Sequence, residues 1–299
     1  MIKRTVVVGS KAVISHKNGQ LHISKEDDEP TVPIEDIGVL MLESHQITIT
    51  QSALSALMTN NVVVIGCDAS HHPDGIMMPI AGNVLHQTVL KNQLTASLPL
   101  RKQLWAQTVK AKILNQAALL TAQQIEVKQM EYWATKTRTG DPENVEARAA
   151  AFYWKNIFRK ELKFTREREG LAPNNLLNYG YAILRAAMAR AIVSSGLHPA
   201  LGIHHKNQYN AFCLADDLME PYRPWVDAKV RAIISADQDF GILDKEAKKQ
   251  LLAVLSDDVR FNDERKPLLL ALTTTTSSLV KCYEKETRQL RYPRFHPAE

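Results

Sequence analysis

The chain has 299 residues, 45 % of them hydrophobic and 23 % charged, with a formal net charge of +5. That is enough for one large or two ordinary domains with real cores, and the balance is that of a soluble globular protein. No stretch approaches the roughly 20 uninterrupted apolar residues of a membrane helix, and the apolar run in MIKRTVVVGSK is too short for a signal peptide. Cys67, Cys213 and Cys282 form no CxxC pair and no zinc spacing, which suits small buried side chains in a reducing cytoplasm.

The first 85 residues read as β-rich. RTVVVG, KAVISH and QLHIS are short β-branched runs separated by turn signals at Gly9-Ser10 and Asn18-Gly19, and an Asn-Gly pair between apolar runs predicts a hairpin. The acidic cluster Glu26 to Glu29, ended by Pro30, is expected to be a solvated loop. IGVLML and ITIT follow as strands, QSALSALMTN has helical spacing, NVVVIGCD reads as a buried strand, and HHPDG at 71–75 reads as a turn.

From about residue 86 the texture changes to long helical patterns. KQLWAQTVKAKILNQAALLTAQQ comes first, then ENVEARAAAFYWKNIF, LNYGYAILRAAMARAIVSS, PWVDAKVRAII, KEAKKQLLAVL and LLLALTTTTSSLVKCYEKET. The expected architecture is therefore α+β: a β-rich domain over 1–85 and a larger all-α domain over 86–299. TTTTSS at 273–278 is a patch of low helix propensity inside a helical pattern, with no role apparent from the sequence.

Charge divides along the same line. Residues 1–85 carry five Lys/Arg against nine Asp/Glu, and residues 86–299 carry 32 against 23. A basic half joined to an acidic half fits a polyanion-binding domain attached to another module. Residues 148–168 hold seven Lys/Arg against two Asp/Glu.

Three places in the helical half set acid or imidazole against apolar surroundings. In ENVEARAAAFYWKNIFRK, at about 100° per residue, Ala149, Ala150, Tyr153 and Ile157 fall within about 60° of Glu146, while Arg148, Lys155 and Arg159 lie on the opposite arc. Glu146 is thus on the inward face, where a carboxylate without a partner shifts its pKa or binds a cation; the plainer alternative is a first-turn glutamate favoured by the helix dipole. In AFCLADDLMEPYRPWVD, Asp217 and Glu220 share a face, and Pro221 predicts a helix break at Glu220; the alternative is a helix start with Arg223 as ion-pair partner. In GLHPALGIHHKNQYN, Pro199 and Gly202 make a helix end and a loop carrying His198, His204 and His205, any of which backbone groups could satisfy. Taken together, one histidine and two or three carboxylates favour Mg²⁺ or Mn²⁺ over zinc. Such a cation polarises a phosphodiester and activates a hydroxyl oxygen, and the basic surroundings point to a nucleic-acid backbone. The residues alone do not choose between His204 and His205.

These segments resemble the CRISPR adaptation integrase, the universal protein that inserts new spacers into CRISPR arrays, most nearly its type II form. RTVVV, VLMLE and VVVIGCD carry the likeness in the first half. VEARAAAFYWKNIF, NNLLNYGYAILRA, GLHPALGIHHKNQYN and DLMEPYRPWVD carry it in the second. The resemblance implies metal and catalytic residues at Glu146, at His205 (which ends the Gly-Leu-x-Pro-x-x-Gly-x-x-His pattern begun by Gly196) and at Glu220, with Asp217 as an auxiliary acid. His198 stands where many relatives have an aspartate, a position outside the ligand pattern. Lys206 and Arg223 are expected phosphate contacts, and Arg148, Lys155 and Arg159 are expected to follow the DNA backbone. The implied activity is a Mg²⁺- or Mn²⁺-dependent DNA integrase and endonuclease: the 3′-hydroxyl of a captured double-stranded fragment attacks a phosphodiester of the CRISPR repeat. The implied assembly is a homodimer through the β domain, two dimers bridged by a small companion adaptation protein, with other type II CRISPR proteins as further partners in a prokaryotic cytoplasm. A stand-alone structure-specific DNA nuclease would use the same metal residues, and a non-catalytic nucleic-acid-binding subunit is the alternative outside enzymes.

Overall fold

The computed structural model describes residues 3–69, 71–80, 82–139, 143–158, 162–167, 170–236, 240–262 and 264–296. Its first part contains eight strands and one helix: β1 Arg4–Val8, β2 Ala12–Lys17, β3 Gln20–Ser24, β4 Thr31–Pro33, β5 Ile37–Leu42, β6 Ile47–Ile49, α1 Gln51–Thr59, β7 Val63–Cys67 and β8 Pro73–Met77. They form two sheets. One has the order β4-β3-β2-β6 and the other β1-β5-β7-β8, in which β1, β5 and β7 run parallel and β8 closes the edge antiparallel.

The second sheet is a middle layer, and strand alternation explains how. On β5, Leu40 faces a core shared with Ile14, Leu21 and Leu57, while Val39 and Met41 face the helical core; on β7, Val64 takes the first side and Val63 and Ile65 the second. A strand covered on both faces has no solvent side, so its sequence loses the polar alternation and reads as an unbroken apolar run. IGVLML and VVIGC are such runs. Gly38 on β5 leaves room for the helical part: a Cβ there would stand 2.8 Å from Leu269 Cδ2.

The remaining residues are mainly helical: α2 His86–Thr95, α3 Leu98–Thr121, α4 Lys128–Lys136, α5 Val145–Asn156, α6 Asn174–Ser194, α7 Cys213–Met219, α8 Arg223–Ser235, α9 Lys245–Leu252 and α10 Leu268–Tyr283. A single 3-10 turn, Glu220–Tyr222, joins α7 to α8. α6 is buried along nearly its whole length, from Asn174 to Val193; it packs against α7, α8, α9 and α10 and reaches β7 and β8. Tyr179 on α6 donates to Glu43 Oε1 at 2.9 Å, and Arg190 Nε donates to the Asn61 carbonyl at 2.7 Å. The change from strands to helices falls between Met77 and His86, but the apolar core runs through it.

Two local expectations are corrected. Residues 71–75 are not all turn: the turn closes with Asp68 N donating to His72 O at 2.9 Å, and β8 starts at Pro73 because the edge of β7 offers it a pairing partner. The helical half also holds a ribbon of β9 Asp258–Arg260 and β10 Arg265–Pro267, too short for a periodic signal. Among the described residues no helix is long and apolar enough to cross a membrane.

Candidate metal and phosphodiester site

The site gathers around α3. Trp105 and Lys112 lie seven residues apart, two turns along one face of this helix. Lys112 points into the helical core with its side chain 12 % exposed. Its Nζ lies 2.8 Å from Glu146 Oε1 and 2.8 Å from Glu220 Oε2, so the two carboxylate oxygens are no further apart than twice that distance.

Glu146 arrives from the first turn of α5, whose inward face is Val145, Ala149 and Tyr153. The helical phase read from the sequence therefore holds, and the dipole-favoured position holds with it. Glu220 arrives from the 3-10 turn that Pro221 imposes between α7 and α8. Arg223 Nη2 meets Glu220 Oε1 at 2.8 Å while its guanidinium lies 4.7 Å from the centre of the Tyr181 ring. Burial pushes the Glu220 carboxyl up, but the charges of Arg223 and Lys112 outweigh it and hold the group below the usual carboxylate range. Its Oε2 lies 2.8 Å from Lys112 Nζ, so each oxygen of this buried carboxylate faces a cation.

His204 and His205 separate by geometry. Gly196, with φ +80°, ends α6 and releases the loop. The His204 ring stacks on Trp105 with centroids 4.2 Å apart and planes at 3°. His205 Nδ1 lies 2.5 Å from Asp217 Oδ1. Asp217 is fully buried on α7 and also accepts from the backbone N–H of His204 at 2.9 Å and of His205 at 3.3 Å. One carboxylate thus fixes both the loop and the ring, and the Nδ1 proton directed at it leaves Nε2 as the lone-pair nitrogen. The hydrogen bond to Asp217 raises the His205 pKa against the effect of burial, and the charges of Asp217, Glu220 and Glu146 add to it. Gly202 permits this fold of the loop, since a Cβ there would collide with the His205 carbonyl and stand 2.8 Å from Asp217 Oδ2. His198 is held structurally: its N–H donates to Gln93 Oε1 at 2.8 Å and its carbonyl accepts from Gln93 Nε2 at 3.1 Å.

The frame behind these groups is polar and buried. Asp227 on α8 accepts from Tyr153 at 2.6 Å and from Tyr181, so α5, α6 and α8 meet at one carboxylate. Asn115 on α3 donates to the Pro221 carbonyl at 2.8 Å and to the Pro293 carbonyl at 3.1 Å, and accepts from Phe295 N at 3.0 Å. The Tyr222 hydroxyl donates to the Ala271 carbonyl at 3.1 Å and pairs with Thr275 Oγ1 at 2.6 Å, and Thr275 donates to the Arg291 carbonyl at 2.6 Å. Ser278 accepts from Arg291 N at 3.0 Å, and Thr276 pairs with Ser195 at 2.7 Å. The TTTTSS run is therefore a seam of hydroxyls that fastens the C-terminal strap and the Glu220 turn to α10.

The surface cations fall into two groups. Arg148, Lys155 and Lys206 are exposed, with Arg148 resting 5.2 Å over the Trp133 ring, whereas Arg223 is committed to Glu220 and Tyr181. Arg159 lies outside the described residues. Asn174 shapes the loop before α6, accepting from Arg166 at 2.8 Å and donating to the Thr165 carbonyl at 2.9 Å. Lys112 has no counterpart in the sequence reading. It was visible there as a lysine on the same face as Thr108 and Gln116, between the apolar Val109 and Ile113.

Among the described residues no three His, Cys, Asp or Glu side chains stand together as a ready chelate; Lys112 occupies the space between the two glutamates. The donor types nonetheless suit a hard divalent cation: two carboxylates already gathered about one cationic group, and an imidazole oriented by a buried aspartate. A sequence model of the family described as CRISPR associated protein Cas1 matches residues 5–256. The chain belongs to the Cas1 family. A Cas1 relative, the CRISPR-associated endonuclease Cas1 of Neisseria meningitidis serogroup C, is 35 % identical over 300 residues, covering 99 % of this chain and 98 % of its own. Another, from Pyrobaculum aerophilum, is 28 % identical over 290 residues, covering 92 % and 97 %. Among solved structures, a casposase bound to integration product superposes with a TM-score of 0.78 at 20 % identity, over 97 % of this chain and 92 % of that one. A CAS1 protein from Thermotoga maritima superposes with a TM-score of 0.73 at 16 % identity, over 99 % and 100 %. These superpositions show that the Cas1 fold spans the chain.

Proposed function

We propose that this Cas1 family member is a spacer integrase and DNA endonuclease that depends on Mg²⁺ or Mn²⁺ held by Glu146, His205 and Glu220. The observation that carries the reading is the meeting of Glu146 and Glu220 about one cationic group, within electrostatic reach of a histidine oriented by buried Asp217. A bound divalent cation supplies Lewis-acid polarisation of the phosphodiester and charge stabilisation of the oxygens around phosphorus.

The chain's own residues supply placement. Asp217 keeps the proton on His205 Nδ1 and the ring in one orientation. The Asp227, Tyr153 and Tyr181 node sets α5 against α8, and thereby Glu146 against Glu220. Lys206 meets phosphate oxygens of the DNA while Arg223 stays on Glu220; Arg148, Lys155 and Arg159 follow the backbone outward. In the reaction the 3′-hydroxyl oxygen of a captured double-stranded fragment bonds to phosphorus in the CRISPR repeat. The attacking hydroxyl gives up its proton to solvent as this bond forms, the existing bond from phosphorus to the 3′-oxygen of the repeat strand breaks, and the departing oxygen takes up a proton in turn. Water in place of the fragment hydroxyl gives a nick.

The relatives are named endonucleases, and structural neighbours include a Cas6-RT-Cas1–Cas2 complex. The assembly that follows is a homodimer through residues 1–85, two dimers bridged by a small companion adaptation protein, with type II CRISPR proteins as further partners in the prokaryotic cytoplasm; residues 86–299 form the catalytic and DNA-binding domain. The acidic balance of residues 1–85 suits protein contact rather than DNA contact. The test is strand transfer into supercoiled DNA carrying a repeat, with and without the companion protein. Glu146→Ala and His205→Ala are expected to lose joining and cleavage and to keep DNA binding. Unchanged joining by both variants in Mg²⁺ or Mn²⁺ overturns the metal reading. Nicking without strand-transfer products in the companion's presence favours the stand-alone nuclease.

A further inference from the structure

We infer that Lys112 is the built-in cation of the metal-free site, and that a divalent cation binds by displacing its ammonium from between Glu146 and Glu220. The inference rests on the metal reading above and concerns a residue that reading does not use. Lys112 Nζ is 2.8 Å from one oxygen of each glutamate. Its side chain is 12 % exposed, and those of Glu146 and Glu220 are 24 % and 9 %. Without the ammonium, two carboxylates would face each other with no cation between them, a like-charge contact that the enclosed setting screens poorly.

Charge and space both set the two occupants against each other. Lys112 pairs with both glutamates and Arg223 with Glu220, so each acid already meets a cation. A divalent cation added beside Lys112 would stand against an ammonium that already touches both acids, a like-charge contact in a confined space. Displacement avoids this, and lysine is suited to it: its charge is compact and rides on a flexible four-carbon stem, unlike the fork of Arg223 fixed over Tyr181. The space Lys112 fills is thus the one the metal needs, and the two compete for the same oxygens.

Competition predicts opposite effects of one substitution on the two states. In Lys112→Met the metal-free protein is expected to melt roughly 5 °C below the parent, since a buried charge cluster loses one partner. Mn²⁺, followed by isothermal titration calorimetry on the full chain, is expected to bind the same variant at least about tenfold more tightly, equivalent to about 1.4 kcal/mol. Lys112→Arg, which keeps the charge, is expected to return both quantities toward the parent. Mn²⁺ binding to the parent with equal or weaker binding to Lys112→Met overturns the inference and leaves the metal reading standing. Binding to neither protein overturns both. If Lys112→Met folds only in the presence of Mn²⁺, chelation with EDTA must unfold it while the parent stays folded; a variant equally unfolded with and without Mn²⁺ contradicts the inference.

Discussion

Asp227→Asn isolates the buried node that sets α5 against α8. Asp227 is fully buried. Burial is the largest influence on its carboxyl and raises the pKa from 3.8 to about 6, against the hydrogen bonds from Tyr153 and Tyr181 and the charges of Arg223 and Arg166. In the unfolded chain the group returns to its usual value. Between about pH 4 and pH 6 the folded protein therefore holds a proton that the unfolded chain has released, and stability falls as pH rises. The limiting slope is about 1.4 kcal/mol per pH unit, so about 3 kcal/mol is lost over the whole titration, about 2 of it between pH 4 and pH 6, and stays lost at neutral pH. Asparagine cannot titrate, yet its amide keeps one acceptor and gains donors for the two tyrosine oxygens. The assay is urea unfolding of both proteins from pH 4 to pH 8, followed by tryptophan fluorescence. The stability of Asp227→Asn relative to the parent is expected to rise by about 2.4 kcal/mol over that range, with most of the change below pH 6.5. A difference that stays flat with pH would refute the reasoning, because it would mean Asp227 titrates alike in the folded and unfolded chain.

Two further substitutions probe the site's supports. Asp217→Ala strips the acceptor from His205 Nδ1 and from two backbone N–H groups; Mn²⁺ affinity measured by calorimetry is expected to fall by about 10- to 100-fold, and an unchanged affinity would show that the ring needs no such support. Asn115→Ala cuts the link between α3, the Glu220 turn and the C-terminal strap. It is expected to cost roughly 2 to 4 kcal/mol and to speed amide hydrogen exchange at Leu290 to Phe295 more than in α6; uniform exchange across the chain would contradict that link.

Much of the architecture is legible in the sequence because it follows from periodicity. Apolar runs on β5 and β7 mark strands covered on both faces, and the phase of α5 puts Glu146 inward beside Tyr153. Pro221 marks the break at which Glu220 is presented, and Gly196 with Pro199 marks the loop of His204 and His205. What was not legible depends on partners distant in the chain. β8 exists because β7 has a free edge, so HHPDG alone looks like a turn. The TTTTSS run looks like a weak helix until Ser195, Tyr222 and the Arg291 backbone supply partners for its hydroxyls. The distinct settings of His204 and His205 require Trp105 and Asp217, neither of which is adjacent. Lys112 was within reach of the same helical-phase argument applied to Glu146, but its meaning needs the two acids that α5 and the Glu220 turn bring to it.

The central claim is that Glu146, His205 and Glu220 hold one divalent cation. Crystals of the protein soaked in Mn²⁺ and measured at the manganese absorption edge test it directly. The account predicts one anomalous peak per chain, within coordination distance of carboxylate oxygens of Glu146 and Glu220 and of His205 Nε2, with the Lys112 ammonium moved aside. A peak elsewhere, or a fully soaked crystal in which Lys112 still bridges the two glutamates and no manganese is bound, would contradict it.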